Sequence, residues 1–232
     1  MDHNRYATVS LAIRPVALLA VALMVTVLGC SREQDKSASA SGLTTSEERD
    51  ASSSPVQPKK IDHVHPVVRM ETNQGAITIR LDAAHAPGTV RNFLNYVNEG
   101  FYDNTLIHYV DADKMMVAGG YTADRALKPT RASIRNEAHN GLKNLRGAVA
   151  MARDQSLIDS ATSQFFINLA DAPHRDHQGD TAAQYGYCVF GEVTEGLDVA
   201  ERISHSPTSN RGNDLLQTPD PQIVITSVRI IR

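Results

Sequence analysis

The side chains best suited to chemistry in this chain are a few histidines, acidic pairs, serines and two cysteines, and their spacing limits what each group can do. His63-Val-His65 and His174-Arg-Asp-His177 bring two imidazoles close in sequence. Neither pair has a third ligand at a telling interval, so both read as surface histidines, and no metal or cofactor is expected. Asp111-Ala-Asp113 has the opening alternation of a calcium loop but lacks the remaining oxygen ligands and the glycine, which leaves a solvated turn. Ser160 and Ser163 stand in no order with a histidine that would make either a nucleophile. Cys188 sits beside Val189 and Phe190 and is expected as a small buried hydrophobe. Two cysteines are too few for a disulfide framework, and a Cys30–Cys188 bridge would need the N-terminal region to fold back on the rest.

Cys30 has a better explanation. Residues 15–28 form an uncharged apolar run preceded by Arg5 and Arg14. The run is shorter than the roughly 20 residues that span a bilayer, and with its basic start it reads as a secretory signal. It ends in Val27-Leu28-Gly29-Cys30, which resembles the lipobox of bacterial lipoproteins. That resemblance implies cleavage before Cys30 and acylation there; several chains on one residue anchor firmly where a single chain binds reversibly. An ordinary signal peptide or an uncleaved anchor is the alternative. Ser31, in place of Asp, resembles the outer-membrane sorting class, so the expected location is the periplasmic face of the outer membrane.

The elements that must position any site lie further on. The chain has 232 residues, 41% hydrophobic and 21% charged, with a net charge of −3 and no basic excess that would ask for nucleic acid. Residues 1–29 are the expected signal peptide. Residues 30–64 are rich in Ser, Ala, Thr and Glu and cannot bury enough surface to offset ordering entropy. They read as a leash with an r.m.s. span of roughly 30 Å. From His65 to Arg232 the pattern is that of a folded domain. Short alternating runs at Val67–Thr72 and Ala76–Leu81 flank Asn73-Gln74-Gly75, a hairpin signal. Pro87 opens a helix with Val90, Phe93, Leu94 and Val97 on one face and Gly100 at its end. Further strands are expected at Thr105–Val110, Met115–Ala118, Gly147–Ala152, Phe165–Leu169, Tyr187–Val193 and Gln222–Ile231, with a short helix over Leu197–Ile203. Many short strands with two helices indicate a closed antiparallel barrel or a sandwich, and periodicity does not separate them.

Longer strings do. Asn92-Phe93-Leu94, Gly100-Phe101-Tyr102, Arg135-Asn136-Glu137-Ala138, Arg146–Arg153, Ser160–Asn168 and Val189-Phe190-Gly191 occur in the order and approximate spacing of a bacterial cyclophilin. The resemblance covers residues 66–232. It implies a closed eight-stranded antiparallel β-barrel capped by two α-helices, with a groove that binds proline-containing peptides. The implied reaction is rotation about the peptide bond preceding proline, with no cofactor. The partners implied are unfolded exported proteins, bound by a monomer.

The resemblance also locates the site, and here the sequence departs from the family. Cyclophilins carry Phe-His-Arg, whose arginine donates to the prolyl nitrogen; this chain has Ile107-His108-Tyr109, so Tyr109 stands at the arginine position. Lys114 falls at an aromatic wall, Val117 at a backbone-binding glutamine, His174 at an aromatic and Arg175 at a leucine. Met115, Gln164 and Phe166 match the pocket, while Met151, Ala152 and Arg153 match the strand edge that pairs with peptide. Tyr187 is acceptable at the barrel edge, and the loop Gln178–Gln184 is about three residues longer than usual. Prolyl isomerisation that assists the folding of exported proteins is the expectation, weak if Tyr109 does not reach the prolyl nitrogen. The alternative is a catalytically impaired peptide-binding or chaperone module of the cell envelope.

Overall fold

A computed structural model describes residues 64–212 and 215–232. The segment read as signal peptide, lipidated Cys30 and nearly all of the leash lies outside these residues. β1 (Val67–Thr72) and β2 (Gly75–Leu81) form the first hairpin. Thr72 pairs with Gly75, so the connection is Asn73-Gln74, one residue shorter than the spacing predicts. Gly75 itself takes φ +130 and opens the strand, which a side chain there would resist. After α1 (Pro87–Asn98) come β3 (Thr105–Asp111), β4 (Met115–Thr122), β5 (Ala148–Met151), β6 (Phe165–Asn168) and β7 (Val189–Glu195). α2 (Leu197–Ser204), β8 (Thr208–Ser209), β9 (Thr218–Pro219) and β10 (Val224–Ile230) complete the order.

Eight strands close in the order β1-β10-β3-β4-β6-β5-β7-β2, all pairings antiparallel, so the fold is a barrel and not a sandwich. β8 and β9 pair with each other outside the barrel. Two residues apiece show no period, which is why the sequence does not announce them. The expected strand start at Tyr187 moves to Val189, because the Tyr187 N–H donates to the Arg175 carbonyl at 2.9 Å.

Both helices bury one face. α1 contributes Val90, Phe93 and Val97, and Phe93 packs on Tyr102, Phe165 and Phe190 with ring centroids 5.1, 5.5 and 5.2 Å away. α2 contributes Val199, Ala200 and Ile203. Inside the barrel lie Met70, Ile77, Ile79, Val149, Phe165 and Ile167, each worth about 1.5–3 kcal/mol as a fully buried side chain. Ala86 precedes α1 and has no side-chain oxygen to cap it. The Glu137 carboxylate does so from a distant loop, accepting from the Gly88 and Thr89 N–H groups (3.1 and 2.8 Å) and the Thr89 hydroxyl (2.7 Å). The string around Glu137 is thus a cross-link: the Asn136 N–H donates to Asp159, and its side-chain amide donates to the Gly186 carbonyl.

Two irregularities in the β3–β4 ladder set up everything that follows. Thr105 pairs with Thr122 and Ile107 with Ala118, so β4 spends four residues where β3 spends two. The excess is taken up around Gly119 and Gly120, the former at φ +87. One step later Tyr109 pairs with Val117, so β3 spends two residues against one and bulges at His108.

Candidate functional site

Strand alternation builds a second apolar cluster on the outer face of the barrel. Val149 and Met151 point into the core, which leaves Ala148, Ala150 and Ala152 outside; Phe165 and Ile167 point in, which leaves Phe166 outside. Cross-strand pairs line these up. Tyr109, Val117, Phe166, Ala150 and Val189 form one row across β3, β4, β6, β5 and β7. Asp111, Met115 and Asn168 form a neighbouring row. The bulge at His108 is what admits Tyr109: Ile107 and Val110 both face the core, and Tyr109 between them is turned outward. Tyr187 closes the row edge-on to Phe166, with ring centroids 5.5 Å apart.

Arg175 reaches into this cluster from a one-turn 3₁₀ helix, Pro173–Arg175. Its guanidinium lies over the Phe166 ring, with Cζ 5.3 Å from the centroid. Nη1 donates to Asn168 Oδ1 and Nη2 to Met115 Sδ, each at 2.8 Å. Burial lowers its basicity, partly opposed by Tyr187, Asp111 and Tyr109. The Tyr109 phenol is half-buried; burial and the Asp111 charge push its pKa up, with Arg175 acting the other way. At neutral pH Tyr109 therefore keeps its proton and faces the groove as a neutral donor.

Lys114 and His174 stand apart from the cluster. The Lys114 side chain is 67% exposed and its Nζ pairs with Asp111 at 3.2 Å, so its charge faces water and not a pocket wall. His174 is exposed, and burial together with the Arg175 charge lowers its pKa. Cation and polar groups in the groove thus come from Arg175 and Tyr109 alone among the substituted positions.

Three matched positions face elsewhere or act through backbone. His108 is 3% exposed, packs at a tilt against Tyr121 with centroids 4.8 Å apart, and lies where the Thr218 hydroxyl caps its carbonyl at 2.7 Å. Burial pushes its pKa down to about 4, with the Leu106 backbone and the Gln164 side chain opposing, and among the described residues its Nδ1 has no aligned hydrogen-bond partner. Met151 is a core side chain. Arg153 is buried and gives its guanidinium to the carbonyls of Gly186, Asp154 and Ala182 at 2.8, 2.9 and 2.7 Å, while covering the Tyr187 ring. It ties the 178–184 loop to β5 and leaves Ala152 at the groove edge, whose N–H already donates to the Gln164 carbonyl. The Gln164 side chain packs where a Cβ on Gly120 would sit, at 2.7 Å.

Sequence reasoning missed Asn168 and Asp111. The signal for Asn168 was its place two residues after Phe166 on a strand, hence on the same face. Asp111 looked like part of a solvated turn; the turn is there, but its first residue closes the second row. Cys188 is buried and has no disulfide partner among the described residues, and burial pushes its thiol up to about 11, as for an inert core residue.

Comparison with known proteins agrees with this geometry. Residues 67–230 match the family model of the cyclophilin type peptidyl-prolyl cis-trans isomerases. The chain is 46% identical over 166 residues to peptidyl-prolyl cis-trans isomerase A of Dickeya dadantii, covering 71% of this chain and 84% of that one. It is 43% identical over 164 residues to peptidyl-prolyl cis-trans isomerase B of Escherichia coli, covering 71% and 99%. A cyclophilin type isomerase of Cryptosporidium parvum shares the fold with a TM-score of 0.59 at 22% identity, covering 72% of this chain and 98% of that chain. That protein was also solved in the presence of the dipeptide Ala-Pro.

Proposed function

The chain belongs to the cyclophilin family, and on that premise we propose that it is a peptidyl-prolyl isomerase of low efficiency that assists the folding of exported proteins from a lipid anchor on Cys30. The observation that carries the catalytic part is the outward turn of Tyr109 onto the row of Val117 and Phe166, within the field of Arg175. Uncatalysed rotation faces a barrier of roughly 18–20 kcal/mol because amide resonance resists twisting. In the twisted transition state the prolyl nitrogen regains its lone pair, so a donor aimed there binds that state better than the planar ground state. Tyr109 supplies one neutral hydroxyl for this purpose where relatives supply a charged fork. Phe166, Val117 and Ala150 offer the apolar contact for a prolyl ring, and Ala152 lies beside them at the groove edge.

A second reading has its own support. The Arg175 guanidinium covers part of the Phe166 face, which favours a module that holds peptides without turning them over. An isomerisation assay on an X-Pro peptide with the full chain separates the two. Turnover on the order of 10²–10³ below that of the arginine-bearing relatives is expected, the usual penalty for losing a preorganised donor. Saturable peptide binding with no acceleration at all would establish the binding module instead.

A further inference from the structure

Arg175 does more than replace a leucine. Of the five N–H donors of a guanidinium, the two that are used go to a neutral amide oxygen and a thioether. Among the described residues no carboxylate lies within ion-pair distance of it. Asp111, whose field reaches it, is held by Lys114 at 3.2 Å. Asp176, its chain neighbour, instead accepts from the Asn144 N–H at 2.8 Å and faces Lys143 at 3.7 Å. The result is a half-buried cation on an apolar floor with donors to spare and no counter-ion. Such a charge is costly to leave unpaired and is relieved by an anion that brings its own hydrogen-bond acceptors.

We infer that Arg175 makes this groove selective for peptides carrying a carboxylate next to the proline, which rests on the isomerase reading above. A prolyl ring would use the row of Tyr109, Val117, Phe166 and Ala150, and the neighbouring carboxylate would take the free edge of the guanidinium. The carboxylate comes either from a flanking Asp or Glu side chain or from the free C-terminus of a chain ending in proline. A lysine in the same place would be repelled.

The test uses the full chain and capped peptides Ala-Xaa-Pro-Phe and Ala-Ala-Pro-Xaa with Xaa as Glu, Gln or Lys, together with Ala-Ala-Pro as free acid and as amide. Isomerisation is followed by NMR exchange. For at least one flanking site, kcat/KM for Glu should exceed that for Gln by about tenfold at low salt, with Lys below Gln. The ratio should shrink as salt is added. A preference confined to the free acid identifies the chain terminus as the source and also supports the inference. In R175L the Glu/Gln and acid/amide ratios should fall to about one; in R175K, which keeps the charge and loses the fork, they should be intermediate. Ratios near one in the unaltered protein, or ratios unchanged in R175L, would overturn it. If no peptide is turned over, the isomerase reading fails, and dissociation constants of the same peptides decide the selectivity on the same ratios.

Discussion

At the scale of single residues, Tyr109 and Arg175 have to be considered together, because each alters the field of the other. Tyr109→Phe removes the hydroxyl and keeps the ring, so kcat/KM on a neutral X-Pro peptide should fall about tenfold with KM little changed. Tyr109→Arg alone would set a second cation near Arg175, and like charges at close range disfavour that placement. The pair Tyr109→Arg with Arg175→Leu should instead raise kcat/KM by on the order of 10²–10³. Stopped-flow or NMR exchange on the four proteins checks both statements, and a large gain from Tyr109→Arg alone would refute the coupling. His108 makes a different prediction. Its pKa in the folded protein is about 4, below the ordinary 6.5, so the unfolded chain takes up a proton first as pH falls. Stability should be unaffected by this group above pH 6.5 and should decline from there to about pH 4, by at most roughly 3 kcal/mol. Denaturation midpoints across that window, compared with His108→Phe, should show the slope in the unaltered protein and not in the variant. The identity of both residues was plain in the sequence. Their opposite outlooks were not, because a residue's face in a bulged strand depends on how many residues the partner strand spends.

At the scale of elements, two long-range devices hold the groove strands and one helix in place. Glu137 caps α1 across 48 and 49 residues of chain, satisfying N–H groups that Ala86 cannot. Glu137→Ala should cost about 1–2 kcal/mol, the usual loss for a removed cap, and Glu137→Gln less, since it keeps an acceptor and loses only the charge at the helix start. Thermal melts would check the order; equal effects would mean that charge carries the whole contribution. Gly119 is the second device. It holds φ +87, and a Cβ there would meet the Ser163 carbonyl at 2.8 Å and the Tyr102 ring at 2.9 Å. Gly119→Ala therefore combines left-handed strain with a clash against backbone and should cost about 2–3 kcal/mol, lowering Tm by roughly 4–12 °C in a domain of this size. Helices and most strands could be read from periodicity, since Pro87, Gly100 and the alternation in β1 and β2 are local signals. Caps from a loop and bulges between paired strands are not local, and only the family resemblance hinted that the strings containing them mattered.

At the scale of the whole molecule, periodicity alone left barrel and sandwich undecided, since closure depends on β1 meeting β10 from the far end of the domain. The groove opens on the outer face of that barrel, so substrates need not enter it. The proposed anchor would suit a slow isomerase, because tethering raises effective concentration where substrates arrive without any new contact. The proposed anchor makes a sharp prediction. The full chain expressed in a bacterial host should partition into detergent, resist extraction from membranes by alkaline carbonate and incorporate labelled palmitate. Cys30→Ala should abolish the label and, because no thiol then receives the acyl chains that give firm attachment, move the protein out of the detergent phase. A labelled protein with an unchanged membrane fraction after Cys30→Ala would place the lipid elsewhere. An unlabelled protein that stays on the membrane would point to the apolar run at 15–28 as an uncleaved anchor, and an unlabelled protein released in both forms would point to an ordinary signal peptide.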